Sequence, residues 1–177
     1  MVEPNQDKIT KFLQSDRVTY KGLEKENLRS DKDGKISNKT FPDVFGVHNH
    51  NRYVTLDYSE PHLEIVTPPF KDNFAVFNFL QDLHAHVESN LDGDLLWNYS
   101  MPPRFKSKYI KLPPHRETNT TKLAHLYRLG LRNRYGDKMQ STAGIHFNFS
   151  FSESAISSLG CGKTDLYLGT CRNFLRL

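Results

Sequence analysis

The stretch from Gly22 to Arg29 constrains the fold more than any other, because it is typical of an extended strand and carries two glutamates. Side chains alternate between the two faces of a strand, so Glu24 and Glu26 are predicted to point the same way. Paired carboxylates repel each other, and a fold that keeps both usually supplies a cation between them. The alternative is a solvated strand face, since exposed glutamate is ordinary. More carboxylates, or a histidine, on other strands would favour the cation site.

Short strands and longer helices alternate irregularly along the rest of the chain. Further strands are predicted at residues 52–57, 62–67, 95–97 and 142–151, and helices at 5–15, 72–91, 120–135 and 163–177. Without a regular succession of strand, helix and strand, the pattern predicts an α+β fold, an antiparallel sheet with flanking helices.

Three segments have an apolar side that is predicted to face the core. On the first long helix this side comprises Phe74, Phe77, Leu80, His84, Val87 and Leu91, and on the second Leu123, Leu126, Tyr127, Gly130, Leu131 and Tyr135. On the last strand it comprises Ile145, Phe147 and Phe149, which leaves His146 and Asn148 on the opposite, polar side.

Composition narrows the class of protein. With 177 residues, of which 37% are hydrophobic, the chain can form one domain or one piece of a larger one. A net charge of +4 suits an anionic partner without distinguishing nucleotide, nucleic acid and acidic substrate. Two cysteines, no signal-peptide pattern and no long apolar run predict a cytoplasmic protein that does not enter a membrane. No RNA-binding aromatic signature accompanies the basic residues, so no nucleic-acid partner is predicted.

Two short segments resemble known ligand-binding motifs but do not match them fully. Gly160-Cys161-Gly162-Lys163-Thr164 resembles the end of a phosphate-binding loop, but Ser157 stands where the first glycine is required. Asp31-Lys32-Asp33-Gly34 resembles the start of a calcium loop, but its glycine comes two positions early. The first string is therefore set aside, and the second is predicted to be a turn.

A set of acidic residues and one histidine, drawn from four predicted strands or their ends, offers a metal site. The set is Glu24, Glu26, Asp57, Glu60, Glu64 and His146. Oxygen ligands with few imidazoles suit magnesium or manganese better than zinc, and such sites most often serve phosphate chemistry. Arg128 and Arg132, on the basic side of the second long helix, could bind phosphate or carboxylate groups.

Several blocks of sequence, in order from about residue 20 to 152, resemble the N-terminal part of bacterial glutamate–cysteine ligase (γ-glutamylcysteine synthetase). The blocks are Gly22–Arg29, Thr55–Glu60, Leu63–Pro68, Leu96–Pro102, Tyr127–Gln140 and Gly144–Ser150. The resemblance implies a glutamine-synthetase-like catalytic fold whose antiparallel sheet forms a crevice for magnesium or manganese, ATP and substrates. ATP would phosphorylate the side-chain carboxylate of glutamate, and the amine of cysteine would then attack, giving γ-glutamylcysteine, in the first step of glutathione biosynthesis.

The resemblance also assigns roles to individual residues. By motif position, the metal ligands are Glu24, Glu26, Asp57, Glu64 and His146. The pocket for the cysteine substrate corresponds to Tyr58, Tyr127, Leu131 and Gln140, with Tyr58 in place of the expected phenylalanine. Arg128 and Arg132 are predicted catalytic residues that bind an anion.

The family's chains are far longer, so residues 1–177 are expected to form a single N-terminal portion of the catalytic domain. The missing wall of the crevice could belong to a separate chain, and the polypeptide is predicted to be inactive alone. Two other interpretations stay open at this point. One is a non-catalytic remnant that binds a partner chain or a metal, and the other is a related ATP-dependent ligase with another amine substrate.

Overall fold

A computed structural model describes Asp7, Thr10 and residues 19–48, 50–105, 108, 110–115 and 118–176. The helix predicted over residues 5–15 lies outside the described residues, apart from Asp7 and Thr10. The strands are β1 (Thr19–Ser30), β2 (Val54–Leu56), β3 (His62–Val66), β4 (Leu95–Trp97) and β5 (Ile145–Phe151). The helices are α1 (Asn73–Ser89), α2 (Asn119–Met139), α3 (Glu153–Leu159) and α4 (Lys163–Phe174), with a 3₁₀ turn at Asp43–Phe45. The predicted α+β fold is confirmed.

The five strands form one antiparallel sheet around the long strand β1, as predicted. The order is β2-β3-β1-β4, and β5 pairs with the first part of β1. The register places Glu26 opposite Glu64 of β3 and Glu24 opposite His146 of β5. Because partners in register point to the same side of a sheet, these four side chains share one face, here called the acid face.

The main core lies on the other face of the sheet, where α1 covers it. Leu63 and Ile65, which alternate with Glu64 along β3, are both fully buried there. The cluster comprises Phe41, Phe45, Val54, Leu56, Leu63, Ile65, Val87, Leu91 and Leu96, with Leu80 and Leu83 packed against it. A smaller cluster of Leu28, Ile36, Tyr58, Ile110 and Leu112 contacts Leu129 and Leu131 of α2. None of the helices in the described residues is long and apolar enough to cross a membrane.

The predicted buried stripe of α1 is wrong at the start of the helix. Phe74 and Phe77 are exposed, whereas Val76 is buried. Val76 and Val87 lie on one side of the helix, and Phe74 points roughly 160° away from Val76 at 3.6 residues per turn. The helix therefore meets the core through Leu80, Leu83 and Val87 and leaves the two phenylalanines outside.

Helix α2 is oriented opposite to the prediction, with polar side chains inward and much of its apolar arc exposed. Arg128 is buried, whereas Leu123, Leu126, Tyr127 and Tyr135 are exposed. The cause is hydrogen bonding. Nε and Nη2 of Arg128 donate to the carbonyl oxygens of Leu56 and Asp57, and Nδ1 of His125 lies 2.8 Å from the carbonyl oxygen of Pro113. Buried carbonyl groups need such partners, so they attract the polar arc of the helix.

The regular part of α2 ends at Gly136, as predicted. Gly136 adopts the non-helical angles φ 78° and ψ 160°, and a short second helical segment follows it to Met139. A positive φ of this kind is readily available only to glycine. Beyond β5, the unpredicted helix α3 begins at Glu153 and is capped by Ser152, whose hydroxyl accepts a hydrogen bond from the Ala155 amide.

The apolar side of β5 does not face the core, contrary to the prediction. Ile145 and Phe147 are each 64% exposed, and Phe149 is 40% exposed. The reason is topological. β5 pairs with the first part of β1, whereas the buried side chains of α1 belong to the cluster over β2 and β3. At the far end of β5, Phe151 packs against Tyr167 of α4, with ring centroids 5.6 Å apart.

Candidate functional site

The acid face gathers the five residues predicted as metal ligands around one part of the sheet. Glu24, Glu26 and Glu64 lie on adjacent strands in register, with His146 beside Glu24. Asp57 directly follows β2, and its amide donates to the carbonyl oxygen of His62 across a tight connection. The clustering itself is therefore observed, while the role of these residues as metal ligands stays a prediction.

Strand β5 and the glycine before it supply hydrogen-bond partners to the acid face. Nδ1 of His146 lies 3.1 Å from Oε2 of Glu24, and the Asn148 amide donates to Oε1 of Glu24 over 2.7 Å. The backbone amide of Gly144 donates to Oε2 of Glu26 over 2.9 Å. The prediction that His146 and Asn148 point away from the apolar side of β5, into a polar environment, is thus confirmed. The contact with Glu24 raises the pKa of His146.

Repulsion and burial act on the carboxyl groups. Burial raises the pKa of Glu64, and the neighbouring carboxylates of Asp57, Glu24 and Glu26 raise it further. Partial burial likewise raises the pKa of Asp57. Burial alone would raise the pKa of Glu26 too, but the His62 ring and the Gly144 amide outweigh it and lower that pKa. The surroundings of Glu64 and Asp57 thus disfavour their charged forms. A bound cation would stabilise those charged forms.

His62 belongs to the acid face and was not among the predicted site residues. Its side chain is fully buried, with Nε2 3.7 Å from Oε2 of Glu26 and Nδ1 3.5 Å from Oδ2 of Asp57. Neither ring nitrogen has a hydrogen-bond partner. A signal for it existed in the sequence, because His62 precedes Glu64 by two residues and so shares its face of the strand.

Glu60 is the one acidic residue of the predicted set that lies elsewhere. Its side chain is buried, and Oε2 accepts a hydrogen bond of 2.6 Å from the Phe41 amide. The tight connection between β2 and β3 turns Glu60 away from Asp57, toward the segment before the 3₁₀ turn. Glu60 therefore serves the packing of this loop, and its membership of the candidate metal site was a wrong expectation.

The residues of the acid face fit a divalent cation. Among the described residues, one ligand atom each from Glu26, Asp57 and His62 lie within 4.8 Å of one another. The two unpartnered nitrogens of His62 lie between the carboxylates, so a buried polar group here needs a partner that the described residues do not supply. Carboxylate oxygens with an imidazole suit magnesium, manganese or a similar ion.

A cavity of about 270 Å³ adjoins the acid face at Asp57. All four residues predicted for the cysteine pocket line it: Tyr58, Tyr127, Leu131 and Gln140. The Tyr58 hydroxyl donates to Oδ1 of Asp137 over 2.5 Å, and burial together with Asp137 raises its pKa to about 12. The structure thus brings these four residues together, and what the cavity binds stays a prediction.

The two arginines predicted to be catalytic hold protein groups in this structure. Arg128 donates to the carbonyl oxygens of Leu56 and Asp57 and so fixes the end of β2 beside the cavity. Arg132 donates through Nε to Asp137 over 2.9 Å and through Nη2 to the carbonyl oxygen of Ile110. Arg128 lines the 270 Å³ cavity, while Arg132 lines a neighbouring one of about 350 Å³. Direct anion binding by either residue stays a prediction.

Comparison with known proteins finds a single family along most of the chain. The family model of glutamate–cysteine ligase matches residues 6–177. The glutamate–cysteine ligase of Clostridium acetobutylicum is 39% identical over 166 residues, which cover 88% of this chain and 34% of the relative. That of Wigglesworthia glossinidia brevipalpis is 42% identical over 142 residues, which cover 80% of this chain and 28% of the relative.

Solved structures agree with the sequence comparison. The glutamate–cysteine ligase of Francisella tularensis, solved in complex with AMP, superposes with a TM-score of 0.78 at 32% identity and covers 81% of this chain and 29% of that one. A bifunctional glutathione synthetase from Pasteurella multocida superposes with a TM-score of 0.82 at 29% identity, covering 97% of this chain and 23% of that one. The chain thus spans about a third of the length of the curated relatives it matches.

Proposed function

Given that the chain belongs to the glutamate–cysteine ligase family, we propose that it forms one wall of an active-site crevice. In this crevice glutamate is ligated to cysteine. The reaction uses ATP and a divalent cation, magnesium or manganese, and yields γ-glutamylcysteine for glutathione biosynthesis. Residues 1–177 form a single N-terminal portion of the catalytic domain in a cytoplasmic enzyme. Polypeptide that corresponds to the rest of the longer relatives completes the crevice.

The proposed reaction has two steps. The side-chain carboxylate of glutamate attacks the terminal phosphorus of ATP, which forms an acyl phosphate and releases ADP. The amine of cysteine then attacks the acyl carbon, phosphate leaves, and the nitrogen loses a proton. A carboxylate is a poor electrophile, and phosphorylation provides it with a leaving group. Bound divalent cations neutralise the charge of the phosphoryl oxygens in such reactions.

Within this chain, the acid face is the proposed metal-binding part. Glu24, Glu26, Asp57, Glu64 and His146 would hold the cations. Their strands are paired in a continuous sheet, so the ligands are fixed before binding, which lowers the cost of assembling the site. Burial and then the neighbouring carboxylates raise the pKa of Glu64, and a bound cation would offset both by stabilising the charged form.

The 270 Å³ cavity is the proposed pocket for cysteine. Tyr58, Tyr127, Leu131 and Gln140 offer two aromatic rings, one aliphatic side chain and one amide around a space suited to a small amino acid. Arg128 positions this pocket by holding the main chain at Asp57. The single observation that carries the proposal is that Asp57 belongs to both the metal-ligand cluster and the cavity wall. The amine and the activated carboxylate could thus meet beside the cation.

A chimeric enzyme tests the proposed function. This chain would replace the matching segment of the Clostridium acetobutylicum relative, and release of phosphate and formation of γ-glutamylcysteine would be measured with glutamate, cysteine, ATP and magnesium. We expect activity from the chimera and none from the same chimera carrying Glu26→Gln. A folded chimera that releases no phosphate would contradict the proposal.

The chain alone forms the second arm of this experiment. We expect no phosphate release from the 177-residue polypeptide, because one wall of the crevice binds nucleotide poorly. Phosphate release from the isolated chain, dependent on glutamate and abolished by Glu26→Gln, would overturn the proposal that further polypeptide is needed.

A further inference from the structure

We propose that His62 donates a ring nitrogen to the divalent cation held by Glu26 and Asp57, so that this position prefers manganese to magnesium. The inference rests on the proposed function, since it names a further ligand at the same acid face. The resemblance in sequence assigns no role to His62, and the proposal depends on its position in the structure alone.

The position of His62 follows from the register of β3. His62 precedes Glu64 by two residues and lies opposite Leu28, while Glu64 lies opposite Glu26. The imidazole is therefore a diagonal neighbour of Glu26 on the same face of the sheet. Nε2 is 3.7 Å from Oε2 of Glu26, and Nδ1 is 3.5 Å from Oδ2 of Asp57. The ring thus has one nitrogen toward each carboxylate.

These separations exceed hydrogen-bond length but suit atoms that share an ion. Two ligands of one ion, each about 2.1 Å from it, lie at most about 4.2 Å apart. Both contacts of His62 fall below this limit. The same ring is fully buried, so solvent does not offer it a substitute partner.

The chemistry of the ring leads to the same conclusion. A neutral imidazole has one N–H donor and one nitrogen lone pair, whereas an ionised carboxylate only accepts. With a carboxylate on each side, the lone pair of His62 faces an acceptor, and neither nitrogen has a hydrogen-bond partner. A cation takes the lone pair, and the remaining N–H can then donate to the other carboxylate. Metal-bound histidines commonly have this second contact.

A nitrogen ligand changes which ion binds best. Magnesium takes oxygen ligands almost exclusively, while imidazole also suits the divalent transition metals. With His62 present, the Glu26 and Asp57 position combines two oxygen donors with one nitrogen donor. The positions nearer Glu24 and Glu64 offer carboxylate oxygens and the exposed imidazole of His146. The buried imidazole of His62 would therefore favour manganese over magnesium at the position of Glu26 and Asp57.

Pulsed electron paramagnetic resonance of bound manganese tests the proposal on the full chain labelled with ¹⁵N-histidine. Because His146 is itself a proposed ligand and the other imidazole of the acid face, the test is made in the His146→Gln background. We expect a nitrogen coupling in His146→Gln that is lost when His62→Gln is added, whereas His50→Gln, at an exposed position outside the acid face, leaves the coupling unchanged. Manganese bound to His146→Gln without any nitrogen coupling, or a coupling unchanged by His62→Gln, would overturn the proposal.

Binding constants for the two ions give a readout that does not depend on spectroscopy. His62→Gln is expected to weaken manganese binding about tenfold, with magnesium binding changed less than about twofold. Equal losses for both ions would contradict the preference. Circular dichroism checks that His62→Gln is folded. His146→Gln leaves the buried His62 unchanged, so it shows the effect of losing the exposed imidazole alone.

The experiment separates this inference from the proposed function. Manganese that binds the wild type, depends on Glu26 and shows only oxygen ligands would overturn the role of His62 and leave the metal-binding acid face intact. A wild-type chain that binds neither ion, or whose binding is unchanged by Glu26→Gln, would overturn both.

Discussion

Charged side chains lie on both faces of strand β1, but the two faces differ in how these charges are paired. On the covered face, Arg29 is buried beside Asp94 at 3.2 Å and donates to two carbonyl oxygens. Lys25 on the same face contacts Asn27, Asn98 and His84. Each of these charged groups has partners within the chain, although Nε of Arg29 has no hydrogen-bond partner. This face is therefore nearly complete as folded.

The acid face is not complete in that sense. Glu24 and Glu26 receive hydrogen bonds from β5 and Gly144, but the pKa of Glu64 is raised by burial and by the surrounding carboxylates. His62 has two buried nitrogens without hydrogen-bond partners. On one face of β1 the charged side chains are paired within the protein, which stabilises the fold. On the other face the carboxylates lack enough positive partners, which favours binding of a cation. The comparison predicts opposite results when a charge is removed from each face.

The largest expected effect comes from the covered face. Arg29→Met should lower the free energy of unfolding by about 3–5 kcal/mol, because Asp94 loses its buried cation and keeps only Ser37 and Lys39. Urea denaturation measures the change. Arg134→Met, at an exposed position on α2, is the matched control and should change stability by less than about 0.5 kcal/mol. Equal losses of stability in the two variants would mean that the charge pairs of the covered face do not stabilise the fold, and would contradict the comparison.

On the acid face, removal of a charge should stabilise the protein. Glu64→Gln relieves repulsion by Asp57, Glu24 and Glu26, and we expect the free energy of unfolding without divalent cations to rise by about 1 kcal/mol. Saturating magnesium should abolish or reverse this gain, because the wild type then benefits from binding. The exposed Glu153→Gln is the control, with little change in either condition. A loss of stability in Glu64→Gln without metal would contradict the account.

The smallest expected effect is a pH dependence on the covered face. Burial, and then the nearby Lys25, lower the pKa of His84 below its ordinary value of 6.5. The unfolded chain therefore binds a proton that the folded chain releases, and stability should rise with pH between the lowered pKa and 6.5. His84→Gln should flatten this rise by about 0.5 kcal/mol in urea denaturation at several pH values. His50→Gln, at an exposed position, should leave the slope unchanged.

The strands could be predicted from the sequence much better than the packing of the helices. A period of two assigns each strand residue to a face, so Glu24 and Glu26 were predicted to share one and His146 to lie opposite the apolar side of β5. Phase did not show which strands are neighbours, and the apolar side of β5 proved to be exposed. Helical periodicity defines an arc but not what lies against it. On α2, carbonyl oxygens at the end of β2 attract Arg128, and the arc with Leu126 turns outward.

The candidate site, too, could be predicted only in part, because sequence patterns do not show how loops and helices pack. His62 shares the phase of Glu64, so the signal was present, but a histidine at the first position of a strand is not distinctive by itself. Glu60 had an acidic side chain in the right segment, and only the turn between β2 and β3 directs it to the Phe41 amide. The cavity beside Asp57 depends on the contact of α2 with the sheet, which no local pattern encodes.

Calorimetric titration with magnesium tests most directly whether the acid face is built for a cation. The wild-type chain should bind magnesium, and Glu26→Gln should weaken the affinity at least about tenfold, while Glu153→Gln binds like the wild type. Urea denaturation without metal should show that Glu26→Gln remains folded. Wild-type affinity in folded Glu26→Gln would mean that the acid face is a solvated surface, and would contradict the central claim.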